Sequence, residues 1–121
     1  MRLTSKQFSR RSRLLTPHDY KAVFDAACRV AGPHMAMLAK LNELGYSRLG
    51  LVVSKKQIPT AVARNRVKRM IRESFRLQQE KLAGLDIVVI AYKALAGLES
   101  PALHLAVDKQ WERLRKRFSM A

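Results

Sequence analysis

Apolar and polar positions along the chain alternate between a helical and an extended rhythm. Tyr20, Val23, Phe24 and Ala27 recur at helical spacing. They follow Thr16-Pro17 and Asp19, which supply a hydroxyl cap, a proline at the first helical position and an acid in the first turn. The pattern predicts a first helix that fades near Cys28, then a turn at "AGP", residues 31–33. "HMAMLAKLN" (34–42) and "RLGLVVS" (48–54) are short apolar runs separated by "ELGY". They predict two strands of an antiparallel hairpin with a longer loop. Across 61–79 the helical period returns. Ala63, Val67, Met70, Ile71 and Ser74 line one face with Phe75 at its edge, and Asn65, Lys68, Arg69, Arg72 and Arg76 share the opposite face. Gly84 offers a stop. "LDIVVIAYK" (85–93) is almost continuously apolar, as a central strand covered on both faces should be. Ser100-Pro101 opens a last helix with Leu103, Val107, Trp111, Leu114 and Phe118 on one stripe. The order helix, two or three strands, helix, strand, helix predicts one sheet with helices packed on it.

A chain of 121 residues suits one domain. A hydrophobic content of 48% calls for a packed core rather than a disordered basic tail. No stretch approaches the roughly 18–20 apolar residues that span a bilayer. The lone Cys28 has no internal disulfide partner, which agrees with a reducing cytoplasm. Charge changes the picture most: 24 Lys and Arg against nine Asp and Glu leave a net +15 and a pI near 11.0. Such an excess speaks about partners rather than fold. Phosphate-rich polymers fit it, with an anionic membrane surface as the rival. "MRLTSKQFSRRSR", residues 1–13, reads as a flexible basic arm ahead of a single domain over 14–121. The same Arg-rich, acid-poor composition also describes an organelle transit peptide.

A metal-dependent nuclease needs carboxylates converging on one or two cations. The nine acids here are scattered. Asp108 and Glu112 share a helical turn but flank Lys109 and Arg113, so they read as a solvated charged face. His18, His34 and His104 form no zinc spacing, and neither a nucleophile elbow nor a phosphate-cradling glycine loop is present. The expectation is a chain with no catalytic residue and no metal site of its own. "ARNRVKRMIRESFR" (63–76) is different, with six basic residues against Glu73. Clustered arginines repel one another unless a polyanion neutralises them. Arginine's planar fork suits phosphate, and Asn65 can donate and accept toward a base edge or ribose hydroxyl. "VSKK" (53–56) ends a strand with a hydroxyl and two ammonium groups, which alone would be ordinary solubilising residues. Tyr20 and Phe24, one turn apart, fit either a core or a stacking platform for unpaired bases. Leu15, ahead of the cap, also places Tyr20 where a hydrophobic staple closes.

Four blocks in register, "RLLTPHDYKAVF", "RLGLVVSKK", "ARNRVKRMIRESFR" and "DIVVIAYK", give the chain a resemblance to the protein subunit of bacterial ribonuclease P over essentially its whole length. The resemblance implies a two-layer α/β (α+β) sandwich of an about four-stranded mixed sheet with three helices. It also implies a left-handed crossover of the basic helix between two parallel neighbouring strands, against the usual rule. The implied role is the protein component of a ribonucleoprotein endonuclease that removes the 5′ leader of precursor tRNA. In that family the catalytic centre and its Mg2+ ions belong to the RNA subunit. The implied partners are the catalytic RNA and precursor tRNA, in the cytoplasm, with neither a membrane nor a small-molecule substrate. Binding of the catalytic RNA carries over to Arg64, Asn65, Arg66, Lys68, Arg69 and Arg72. Leader binding carries over to Tyr20, Phe24, Ser54, Lys55, Lys56 and, on the neighbouring strand, Lys93. Ala39 stands about where some members have an aromatic cleft residue. Two other classes compete: a ribosomal or other structural RNA-binding protein, and a basic protein of anionic membranes. RNA dependence of a hydrolytic activity separates the first, and lipid co-sedimentation against RNA competition the second.

Overall fold

The computed structural model describes residues 12–13, 16–26 and 28–119. In chain order the elements are α1 (Pro17–Ala26), β1 (Cys28–Ala31), β2 (Met35–Leu41), β3 (Arg48–Val52), α2 (Ala61–Gln78), β4 (Leu85–Ala91), α3 (Lys93–Ala96) and α4 (Ser100–Ser119). The three expected helices are joined by a one-turn fourth, α3. The four-stranded sheet runs β1-β2-β4-β3. β2 pairs antiparallel with both β1 and β4, and β3 pairs parallel with β4.

This order corrects the predicted hairpin of 34–42 with 48–54, because β4 lies between those two strands. β4 is apolar on both faces, and the centre of a sheet is where such a strand buries both. The hairpin partner of β2 is instead Cys28–Ala31, a segment the sequence pattern assigned to the fading end of a helix and a turn. With four residues and one of them, Val30, buried, its alternation is too short to read.

α2 and α4 cover one face of the sheet. Met37, Leu49, Ile87 and Val89 meet Ile71, Phe75, Val107 and Trp111 in the main core. Phe75, expected at the edge of its helix face, is fully buried and lies tilted against Trp111 at 5.8 Å between ring centroids. Ser74 is buried between the helices without being orphaned. The Trp111 indole donates to its hydroxyl at 2.8 Å, and the hydroxyl donates to Asp108 Oδ1 at 2.6 Å. Ala39 also faces this core. Leu38, one register step away, and its alternating neighbours face the other side.

α1 covers that other face, where Val23 buries against Leu38 and Val88 with Tyr20, Val52 and Ile90 half-buried around them. So small a cluster needs polar support. Thr16 and Asp19 cap the helix reciprocally, Asp19 N–H donating to Thr16 Oγ1 at 3.1 Å and Thr16 N–H to Asp19 Oδ2 at 3.2 Å. Arg48 binds Asp86 through two bonds of 2.8 and 2.6 Å and reaches Asp19 at 3.9 Å. Asp86 is 1% exposed and takes a third bond, from the Asn42 amide at 2.8 Å. Hydrogen bonding to Asp86 pushes the Arg48 pKa above its ordinary value, so the guanidinium is charged at any working pH. The Tyr20 hydroxyl accepts from Leu51 N–H at 3.2 Å, and its ring crosses Gly50 so closely that a Cβ there would stand 2.7 Å from Tyr20 Cζ.

The proposed staple through Leu15 and the basic arm up to residue 11 lie outside the described residues. Ser12 and Arg13, on the arm side of the expected boundary, already meet the body: Ser12 is buried and Arg13 bridges Leu49 in parallel.

The close crossing of Tyr20 over Gly50 yields a coupled test. Gly50→Ala should cost about 1–3 kcal/mol in denaturant unfolding, as overpacking does. In a Tyr20→Ala background the same change should cost less than half of that. Equal costs in both backgrounds would place the constraint on Gly50 elsewhere.

Candidate nucleic-acid interface

α2 starts at Thr60, whose side chain accepts from Ala63 N–H at 3.2 Å. Burial of Val67, Met70, Ile71, Ser74 and Phe75 turns the opposite face outward. The six candidate residues on it divide into two groups. Arg64 donates to the carbonyls of Ile58 and Pro59 at 3.0 and 2.7 Å, bracing the loop that enters the helix. Arg66 donates to Leu98 O at 2.8 Å and reaches Ser100 Oγ at 3.4 Å, tying α2 to the start of α4. Asn65, Arg69 and Arg72 are exposed and Lys68 half-exposed, and none of these four has a side-chain hydrogen bond or ion pair with the described residues. Glu73 does not offset them. Its bond from Arg76, 2.7 Å long, holds its carboxyl below the usual range. The result is an uncompensated strip of one amide and three cations.

The second candidate group gathers at one edge of the sheet because β3 and β4 run parallel and end on the same side. Beyond β3, Ser54 closes a turn: its hydroxyl accepts from Gln57 N–H at 3.1 Å and its carbonyl from Ile58 N–H at 2.9 Å. Lys55 and Lys56 are exposed on that turn. Gln57 Oε1 accepts from Lys93 N–H at 2.9 Å and so brings Lys93 beside them. The expectation that Lys93 lies on the strand is corrected. β4 ends at Ala91, and Lys93 opens α3.

Tyr20 and Phe24 are not equivalent. Tyr20 is half-buried with its hydroxyl engaged, whereas Phe24 is 40% exposed. Two further residues on this side escaped the sequence reading. Arg29 pairs opposite Leu38, and its guanidinium donates to the Tyr92 hydroxyl at 3.4 Å. Arg29 was hidden by taking 28–31 for a helix end, and Tyr92 by taking it for the tail of a strand.

Among the described residues no group of three or more His, Cys, Asp or Glu could hold a metal ion. The acids have other uses: Asp86 with Arg48, Asp25 with Lys21, Asp108 with Ser74 and Glu112 with Arg115. No helix among the described residues is long and apolar enough to cross a membrane.

The sequence matches the Ribonuclease P family over residues 8–115. It is 50% identical to the Ribonuclease P protein component of Pseudomonas putida over 115 residues, 94% of this chain and 86% of the relative. With the component from Pseudomonas aeruginosa it shares 53% over 113 residues, 93% of this chain and 84% of that one. A solved structure of a mutant RNase P protein from Staphylococcus aureus superimposes with a TM-score of 0.82 at 26% identity, covering 87% of this chain and 89% of that chain. Sequence motifs, sheet order and these likenesses agree, and the chain belongs to the ribonuclease P protein family, the protein component of the endoribonuclease that processes the 5′ ends of tRNA.

Proposed function

We propose that this protein component works in the cytoplasm through two surfaces on opposite sides of its sheet. The α2 strip binds the catalytic RNA, and the α1 side receives the single-stranded leader of precursor tRNA. The observation that carries this reading is the layering itself. α2 packs on one face and points its cations outward, while α1 covers the other face incompletely and leaves Phe24 exposed. On α2, Lys68, Arg69 and Arg72 contact phosphates and Asn65 meets a base edge or ribose hydroxyl. Arg64 and Arg66 hold the helix in place and offer their remaining N–H groups. On the α1 side Phe24 stacks on a base, Tyr20 anchors the helix that carries it, and Lys55, Lys56 and Lys93 follow the backbone beside Ser54. Mg2+ belongs to the RNA subunit in this reading, which is supported by carboxylates that do not gather into a group of three or more among the described residues.

Reconstitution tests the role directly. The protein alone should leave precursor tRNA intact, and leader removal should appear when the cognate catalytic RNA is added. Cleavage that persists after exhaustive removal of RNA would contradict it.

The α2 assignment has a salt signature. Replacing Lys68, Arg69 and Arg72 together by alanine should flatten the slope of log K against log salt for the catalytic RNA by about two to three, at roughly 0.7–0.9 per lost phosphate contact. A folded triple variant with the wild-type slope would move the interface elsewhere. On the α1 side, Phe24→Ala should weaken binding of leader-bearing precursor by about 1–3 kcal/mol. Mature tRNA should bind as before, and the unfolding midpoint should hardly move. Tyr20→Ala should lower stability as well, since it also removes the bond to Leu51. Equal losses for precursor and mature tRNA on Phe24→Ala would rule out the leader contact.

A further inference from the structure

A groove of about 400 Å³ opens between the turn joining β1 to β2 and the side of α4 that faces it. It falls within the ~300–1,000 Å³ range of small-ligand pockets. Pro33, Met35, Leu98, Ala102, Leu105 and Ala106 make it mostly apolar, and Leu105 is left 57% exposed. None of its lining residues is acidic, while Lys109, Arg113 and His34 border it.

One polar side chain is built into its wall. Gln110 is 6% exposed; its Nε2 donates to Val30 O at 3.4 Å, and its Oε1 accepts from Arg113 at 2.7 Å. A primary amide has two N–H donors and two acceptor positions. One further donor and one further acceptor position therefore remain beyond those two bonds. Gly32 lets the turn approach the amide closely. A Cβ there would sit 3.1 Å from Gln110 Nε2, a tight contact that the amide would have to yield to by a few tenths of an ångström.

We infer that this groove receives one unpaired nucleobase of RNA, adenine best of the four, with its flanking phosphates on Lys109 and Arg113. A glutamine amide pairs with adenine through one donor and one acceptor together, which is the capacity Gln110 has left. The apolar walls suit the faces of a base. An acidic protein segment would satisfy the cations, but a carboxylate only accepts and leaves the spare N–H and acceptor unmatched as a pair. Position supports RNA too. Leu98, part of the lining, offers its carbonyl to Arg66 at 2.8 Å, so the groove borders the helix that carries the basic strip. The inference rests on the reading of α2 as an RNA-binding surface and adds a base-reading subsite to it.

The test is an NMR titration of the full chain with hexaadenylate, hexauridylate and an abasic hexamer. With hexaadenylate the Gln110 side-chain amide and the backbone amides of Gly32 and Ala106 should shift, saturating at about tenfold lower concentration than with hexauridylate. The abasic strand should leave them in place. Ala102→Trp, which fills the groove from an exposed helix position, should abolish these shifts and spare those at Arg69 and Arg72. Gln110→Glu keeps an acceptor for Arg113 but loses the donor, and should erase the preference for adenylate. Equal shifts with the abasic strand would overturn the proposal. So would silence at the groove while Arg69 and Arg72 respond, a result that leaves the α2 reading intact. Silence at both places would remove that reading as well. Shifts at the groove that grow with protein concentration in the absence of RNA would assign it to a second copy of the chain instead.

Discussion

β4 has an antiparallel neighbour on one side and a parallel neighbour on the other, and that asymmetry fixes where α2 and the ends of β3 and β4 lie. A parallel pair cannot be closed by a tight turn, so the chain between β3 and β4 must cross the sheet. α2 makes that crossing and buries Val67, Ile71 and Phe75 in doing so. Its cations are then left no direction but outward. The same pairing brings the ends of β3 and β4 to one edge, where the Ser54–Lys56 turn and Lys93 meet through Gln57.

Stability and access are divided across the sheet. The α2–α4 side holds the large core, and the α1 side holds a cluster centred on three buried side chains. Polar contacts compensate on the weaker side. A carboxylate as buried as Asp86 is tolerable only when its lone pairs are used, and Arg48 and Asn42 use them. Arg48 extends the link to Asp19 in the first turn of α1, and Tyr20 adds its bond to Leu51. α1 is thereby fixed without being sunk into the sheet. Val52, Ile90 and Phe24 keep part of their apolar surface free.

What was legible in the sequence were the long periodic segments. α2 spans Ala61–Gln78 against an expected 61–79, and α4 begins at the expected Ser100. Their stripes recur over enough turns to be unambiguous. Strand order was not legible, since proximity in sequence favours joining β2 to β3, and nothing local says that a strand more than thirty residues further on comes between them. β1 was too short to show an alternation. Ala39 shows how little separates the two faces of a strand: one step of register carries a residue from one face to the other. Within α2 the charge was plain but its use was not. The acceptors of Arg64 and Arg66 are carbonyls of Ile58, Pro59 and Leu98, all outside the helix. By spacing alone Tyr20 and Phe24 read first as core residues, with a stacking platform as the alternative. Contact with Gly50 and Leu51 separates them.

Site-specific crosslinking in the assembled particle tests the division of labour most directly. In a Cys28→Ser background, a photoreactive group would be attached through Asn65→Cys on α2 or Phe24→Cys on α1, and each protein reconstituted with catalytic RNA and leader-bearing precursor tRNA. The account expects the group at 65 to join the catalytic RNA and the group at 24 to join the leader. Attachment of both groups to the same RNA, or an exchange of the two targets, would contradict it.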